Sequence, residues 1–392
     1  MRALHRVAYG PRAGDVERVA SMGSEAFIEE QLSPASIFDL EATLLVRRIE
    51  TMGLSAPDVF DLAQRTVATD LRRTTLLRAI YSERQLYERM VEFWSDHFNI
   101  FIGKSDCAWL KVIDDREVIR KHALGNFRDL LSASATSPAM LVYLDGGANA
   151  AGRPNENYAR EILELHTLSV DGGYTQTDVM ELARALTGWR VRTFFERGRT
   201  VFRSQVHDSF VKEVLGLRLE GDAATDLTRV VDRLAGHPAT ARFISKKLCR
   251  RFVADEPPED LVLRVAAAFT RSRGEIRPTL SALLHSEDLF QAPPKFLRPY
   301  GFVVSTLRRT GAASDGGKGV QHELEKMGQL PFAWPTPDGY PDTEEHWSGR
   351  MLPRWNFALA LMANAIPGTR VAEHGSPEAA ALEICRPEFQ YC

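Results

Sequence analysis

The chain has 392 residues, with 49 Lys and Arg against 52 Asp and Glu and a net charge of −3; it is 44% hydrophobic and 26% charged. That balance describes an ordinary globular chain long enough for a large core. It excludes both the basic excess expected of a nucleic-acid binder and the highly charged, apolar-poor composition of a disordered chain. No uncharged apolar run reaches the roughly 18 residues of a membrane span. The stretch from Met1 to Gly10 has no apolar run followed by a small-residue cleavage site, so a cytoplasmic chain is expected, or an exported one if a leader precedes it. Cys107, Cys249, Cys385 and Cys392 show no CxxC spacing, which argues against a zinc knuckle or redox dithiol and for reduced structural thiols.

Apolar residues recur at helical spacing and rarely alternate, so the expectation is a mainly α, multi-helical single unit with a small β-hairpin insertion near residues 190–205. In chain order the spacing predicts helices over 36–52, 58–80 and 83–101, the last opened by Ser82-Glu83-Arg84-Gln85 in the form of a capping box. Helices over 113–122, 126–134 and 138–145 follow, punctuated by Gly125 and Ser137-Pro138. Gly146 to Pro154 is glycine-rich and short of large apolar residues, which predicts a mobile loop. It leads into a helix over 155–167, with Asn155 at its start and acids in its early turns, as the helix dipole prefers. Gly172-Gly173 ends that helix, and Thr175 to Asp178 starts another running to Leu186. Alternation between Trp189 and Gln205 predicts the hairpin. Further helices are expected over 223–235, 238–252, 258–272, 276–285, 297–310, 320–328 and 350–365. One helical unit should cover 1–371, with its weakest internal boundary near 190–215, and 372–392 should be a loosely attached tail.

Several blocks along this frame carry a family resemblance. They are Asn155 to Thr167, Gly172-Gly173-Tyr174-Thr175, Ala183 to Trp189, Phe93 to Phe98, Ser137 to Leu141, His237 to Ala241, Lys295-Phe296 and Trp334 to Tyr340. In content and order they resemble the bacterial domain-of-unknown-function 1800 family, over nearly the whole chain. The resemblance implies a mainly helical protein of a family whose members are often exported and often encoded beside sulfatase-like and alkaline-phosphatase-like proteins. A sulfatase-like partner is therefore one expectation.

Residue chemistry points to a polar cleft. His97 shares a helix face with Met90, Phe93, Trp94 and Phe101, so it should be buried, with its pKa lowered and both ring nitrogens placed against partners. That suits a metal ligand, a general base or a hydrogen-bonded core residue. On the helix over 155–167, Asn157, Glu161 and Glu164 share one face, while Arg160 can pair with Glu156 and Glu164. Glu156, Glu161 and His97 are the expected catalytic groups, and Asn155, Asn157, Arg160, Trp94 and Trp189 the expected substrate-binding ones. His97, His207 and Glu161 form a permissible ligand set for one divalent metal ion, although no metal-binding spacing supports it. The basic stripe Arg242, Lys246, Lys247, Arg250 and Arg251 can hold an anion or form a solvated face, and Trp334 to Tyr340 can stack on a sugar or plug the core. The functional expectation is a metal-assisted or carboxylate/histidine acid-base hydrolase or lyase acting on a cell-envelope or extracellular polymer, such as a polysaccharide. The alternative is a noncatalytic binding or assembly protein. Neither nucleic acid nor a membrane span is expected.

Overall fold

A computed structural model describes residues 2–372 and 376–392. Among these residues, 22 α-helices carry the fold and three antiparallel two-stranded sheets are appended to them, so the chain is mainly α. Most of the expected helices form close to their predicted bounds. The His97 helix spans Gln85–His97 and stops where Phe98 leaves helical geometry. Its expected capping box is absent, because Ser82 donates its hydroxyl to Asp39 and accepts from the Arg84 amide, which delays the helix to Gln85. The run over 58–80 splits into Ala56–Val59 and Gln64–Tyr81. That over 36–52 keeps α geometry only at Leu40–Arg47.

The hairpin forms as Trp189–Val191 against Thr200–Phe202. Two strand pairs went unforeseen, Lys212–Val214 with Leu217–Leu219 and Ala313–Ser314 with Thr369–Arg370, since strands of two or three residues are too short to show alternation. Helices Asp15–Met22 and Ser24–Leu32 were also missed.

One hydrophobic core runs from Ala3 to Leu289 and includes Val214 and Leu219, so it passes straight through the stretch expected as a boundary. A second cluster gathers Leu76, Phe302, Phe357 and Ile384. Within the first, the Pro238–Phe252 helix buries Ile244, Leu248 and Phe252 completely. Each such side chain contributes about 1.5–3 kcal/mol over its exposed state, which fixes the rotation of the helix and hence the direction in which its cations face. Among the described residues, which include all four cysteines, no disulfide forms, and burial pushes the Cys107 and Cys249 thiols up to about 12.

Two expectations of mobility are corrected. In the 146–154 segment, buried Asn149 donates its side-chain amide to the Ala183 carbonyl (2.8 Å), while its own oxygens accept from Asn155, Gly188 and Arg190. The tail forms the helix Pro377–Cys385, and Cys392 exchanges both backbone hydrogen bonds with Lys295 (3.0 and 2.8 Å). Gln390 is buried and holds Arg354 and the Ile384 carbonyl.

Candidate functional site

The site begins with a helix end. The helix from Glu156 to Glu161 continues as a π-helical turn over Ile162–Thr167, in which Leu168 donates to the Leu163 carbonyl five residues back. Carbonyls at a helix C-terminus lack intrahelical partners. The carbonyl of His166 is one of them, and it lies 3.1 Å from His97 Nε2. A carbonyl only accepts, so Nε2 carries the proton and Nδ1 presents its lone pair. That lone pair faces Lys247 Nζ at 2.9 Å.

Burial, reinforced by the Lys247 and His166 neighbours, holds His97 well below the usual histidine range, so the imidazole is neutral. Burial also lowers Lys247 to about 8, with Arg251 pushing the same way and Asp96, Asp342 and Asp338 opposing. Among the described residues Lys247 makes no ion pair; its hydrogen-bond partner is the imidazole, and its ammonium lies 5.4 Å from the Phe243 ring centre. A lysine so placed is close to releasing its proton at neutral pH, which is the condition for a base or nucleophile. His166 is buried beside it, neither ring nitrogen hydrogen-bonded among the described residues, and burial followed by the Lys247 charge depresses it to about 3.

His97 and Lys247 line an open cleft of about 240 Å³, with Phe93 and Asp96 on the histidine side, Arg250 and Arg251 on the lysine side, and residues 338–342 opposite. Beneath it lies a lattice of buried charges. Arg251 reaches Asp96 (3.0 Å) and Glu92 (3.4 Å), and its Nε lies 3.0 Å from Asp342 but out of line for a hydrogen bond. Arg298 binds Asp96 (2.7 Å) and Glu92, which also accepts from the Tyr9 hydroxyl (2.7 Å). Burial raises Asp342, but the charges of Arg251, Lys295 and Arg298 outweigh it and hold the carboxyl at about 2. Such a lattice stabilises only when every member is paired.

The opposite wall is tied down from outside. Asn99 donates to the carbonyls of Trp334 (3.0 Å) and Thr336 (2.7 Å), and the Tyr143 hydroxyl to that of Pro335 (2.8 Å). Gly339 sits at φ +77°, where a Cβ would stand 2.1 Å from the Asp96 carbonyl oxygen, so glycine is required for the turn to touch the His97 helix. Trp334 and Thr336 both donate to Asp338 Oδ1. Trp334, Tyr340, His346 and Trp347 pack together, so this segment plugs the structure and lends Asp338 to the cleft.

Of the residues expected to be catalytic, substrate-binding or metal-ligating, His97 lines this cleft, joined by Lys247, Arg250 and Arg251 of the basic stripe and by Asp338, Gly339 and Tyr340 of the Trp334 to Tyr340 segment. Glu161 is half-buried, and its carboxyl is raised by burial and by the charges of Glu164 and Asp338. Glu156 is bound by Arg160 (3.2 Å) and Gln176 (2.7 Å), and Arg160 also meets Glu164 (3.6 Å). Asn155 caps the helix, and Asn157 donates to the Leu144 carbonyl. Trp94 is wholly buried, its indole donating to the Ala123 carbonyl (2.9 Å), so it is a core residue and cannot meet a substrate. Trp189 packs on Phe202 at the hairpin base. His207 hydrogen-bonds Thr187 there, away from His97. Among the described residues no three His, Cys, Asp or Glu side chains group as metal ligands, so the set His97, His207 and Glu161 is not assembled.

The sequence offers Lys247 only as one cation of the basic stripe and Asp338 only within Trp334 to Tyr340, and it assigns His166 no role. For Lys247 a signal existed: it falls four residues after Phe243 and three after Ile244, at the margin of the helix's apolar face, whereas Arg242 and Lys246 point to solvent. No curated protein and no solved structure matches the chain. A family profile does match it, over residues 2–387, and the chain belongs to that family, described as Protein of unknown function (DUF1800).

Proposed function

We propose that the chain is an enzyme, an acid-base hydrolase or lyase, with the Lys247 amine as its base and His97 as the group whose Nδ1 accepts a hydrogen bond from that amine and orients it. The observation that carries this reading is the 2.9 Å contact between Lys247 Nζ and the lone-pair nitrogen of a neutral imidazole at the wall of an open cleft. A lysine kept for stability would pair with a carboxylate; this one has a neutral hydrogen-bond acceptor instead, and burial together with the Arg251 charge favours its free amine. Asp338, exposed on the facing wall, orients a substrate hydroxyl or amine. The metal-assisted variant loses ground because its expected ligands are dispersed. A unit of a cell-envelope or extracellular polymer remains the substrate class we assign to this surface-open cleft of about 240 Å³.

For the helix from Glu156 to Glu161 the noncatalytic reading is favoured: Asn155, Glu156, Asn157 and Arg160 are consumed by neighbours, as in a structural or assembly element, and a sulfatase-like partner belongs to that reading.

Competitive acetylation across pH, read by peptide mass spectrometry, tests the proposal without a known substrate, with exposed Lys246 as the internal reference. Lys247 should titrate near 8. In a screen of polymer substrates, Lys247→Met should lower turnover about 10²–10⁴-fold. Titration of Lys247 at the ordinary lysine value, or an activity indifferent to Lys247→Met, would sink the proposal.

A further inference from the structure

Among the described residues the hairpin lends nothing to the cleft, yet its tip carries the most exposed large apolar side chains. Between Trp189–Val191 and Thr200–Phe202, Phe194 is 84% and Phe195 92% exposed. Two adjacent phenylalanines in water are costly, and a flexible turn would fold them back onto the surface.

The root of the turn prevents that. The Arg197 guanidinium sits 4.0 Å from the Phe60 ring centre and 3.3 Å from Asp106. Gly198 is buried at φ +80°, where a Cβ would strike the Phe60 ring at 2.7 Å. Arg192 and Gly198 close the turn by backbone hydrogen bonds, and Thr200 donates to the Thr136 carbonyl (2.8 Å). With one side of the turn clamped, the phenylalanines are held outward.

Charge identifies what they meet. Residues 190–203 contain Arg190, Arg192, Arg197, Arg199 and Arg203 against the single acid Glu196, in a chain whose net charge is −3. Glu196 is shared by Arg192 and Arg199, and exposed Arg203 makes no ion pair among the described residues. An aromatic wedge with guanidinium groups just behind it matches a bilayer surface, with rings at the headgroup level and cations on anionic lipid. A protein pocket would not require the arginine excess.

We propose that the 190–203 hairpin is a peripheral docking site for an anionic lipid bilayer, inserting Phe194 and Phe195 while its arginines bind the headgroups. The test is flotation of the full chain with vesicles of phosphatidylcholine alone and with about one-third phosphatidylglycerol. Binding to the anionic vesicles should exceed that to neutral ones by about tenfold or more and weaken with salt. Phe194→Ser with Phe195→Ser should abolish it without moving the urea midpoint, because both rings are in water. Arg192→Gln with Arg199→Gln should reduce the preference for anionic lipid and leave the phenylalanines in place. Absence of binding to anionic vesicles, equal binding to both vesicle types, binding unchanged in the phenylalanine variant, or phenylalanine-dependent self-association in place of vesicle binding would each overturn the proposal.

Discussion

Replacing Lys247 with methionine keeps the packing of the lysine stem and removes the ammonium, so it isolates the energetic consequence of placing that charge beside His97. The amine titrates at 10.5 in an open chain and at about 8 in the fold. At about 1.4 kcal/mol per pH unit, that gap amounts to about 3 kcal/mol. The sign follows from proton counting. Between pH 8 and 10.5 the unfolded chain holds a proton that the folded chain has released, so stability rises with pH through this window. The penalty is fully present below about 8 and gone above 10.5. Urea unfolding of wild type and Lys247→Met at matched pH values from 7 to 11 gives the difference directly, with titrations common to both proteins cancelling. The wild type should gain about 3 kcal/mol on the variant across that range. A flat difference would show that the fold does not depress this lysine, and a difference of opposite sign would show that it stabilises the cation; either refutes the reasoning.

The remaining expectations concern the supports of the cleft. Gly339→Ala combines positive φ with a clash against the Asp96 carbonyl and should cost about 2–4 kcal/mol in urea unfolding; a loss below about 0.5 kcal/mol would mean that the turn does not depend on this approach. Asp342, held at about 2, contributes stability that is present above the ordinary carboxyl value of 3.8 and lost as pH falls through 2. Asp342→Asn should therefore be less stable at pH 6 and show a shallower decline between pH 4 and 2, and parallel curves would refute the pairing. Removing residues 386–392 should lower the urea midpoint, because it strips partners from Arg354 and from the backbone at Lys295 and Leu297; an unchanged midpoint would restore the loosely attached tail.

Helix positions were largely legible because apolar spacing along the chain reflects which face each helix buries. What the spacing could not reveal is where unlike helices meet. His97 was visible as a polar group on an apolar face, but Lys247, 150 residues away, becomes its partner only through the packing of the Pro238–Phe252 helix. His166 was hidden by the change from α to π winding, which alters which residues share a face and leaves no mark in composition. The mobile-loop expectation for 146–154 failed because one buried asparagine supplies the hydrogen bonds that a glycine-rich segment otherwise takes from water. The acids of the helix over 155–167 drew notice by residue type, while geometry assigns Glu156 and Glu164 to Arg160.

The π turn at Ile162–Thr167 has a consequence for how this segment can vary in length. A π turn is equivalent to one residue inserted into an α-helix, so deleting a residue between 162 and 167 would leave a well-formed α-helix. Residues beyond the turn would keep their register, since the wide turn absorbs the extra residue, while the carbonyls within it would close back onto the helix. The His166 carbonyl would swing away from His97, and the imidazole would lose the acceptor that fixes its tautomer. Length polymorphism here would thus be almost invisible to measures of helicity while freeing the His97 proton to move to the nitrogen that faces the amine.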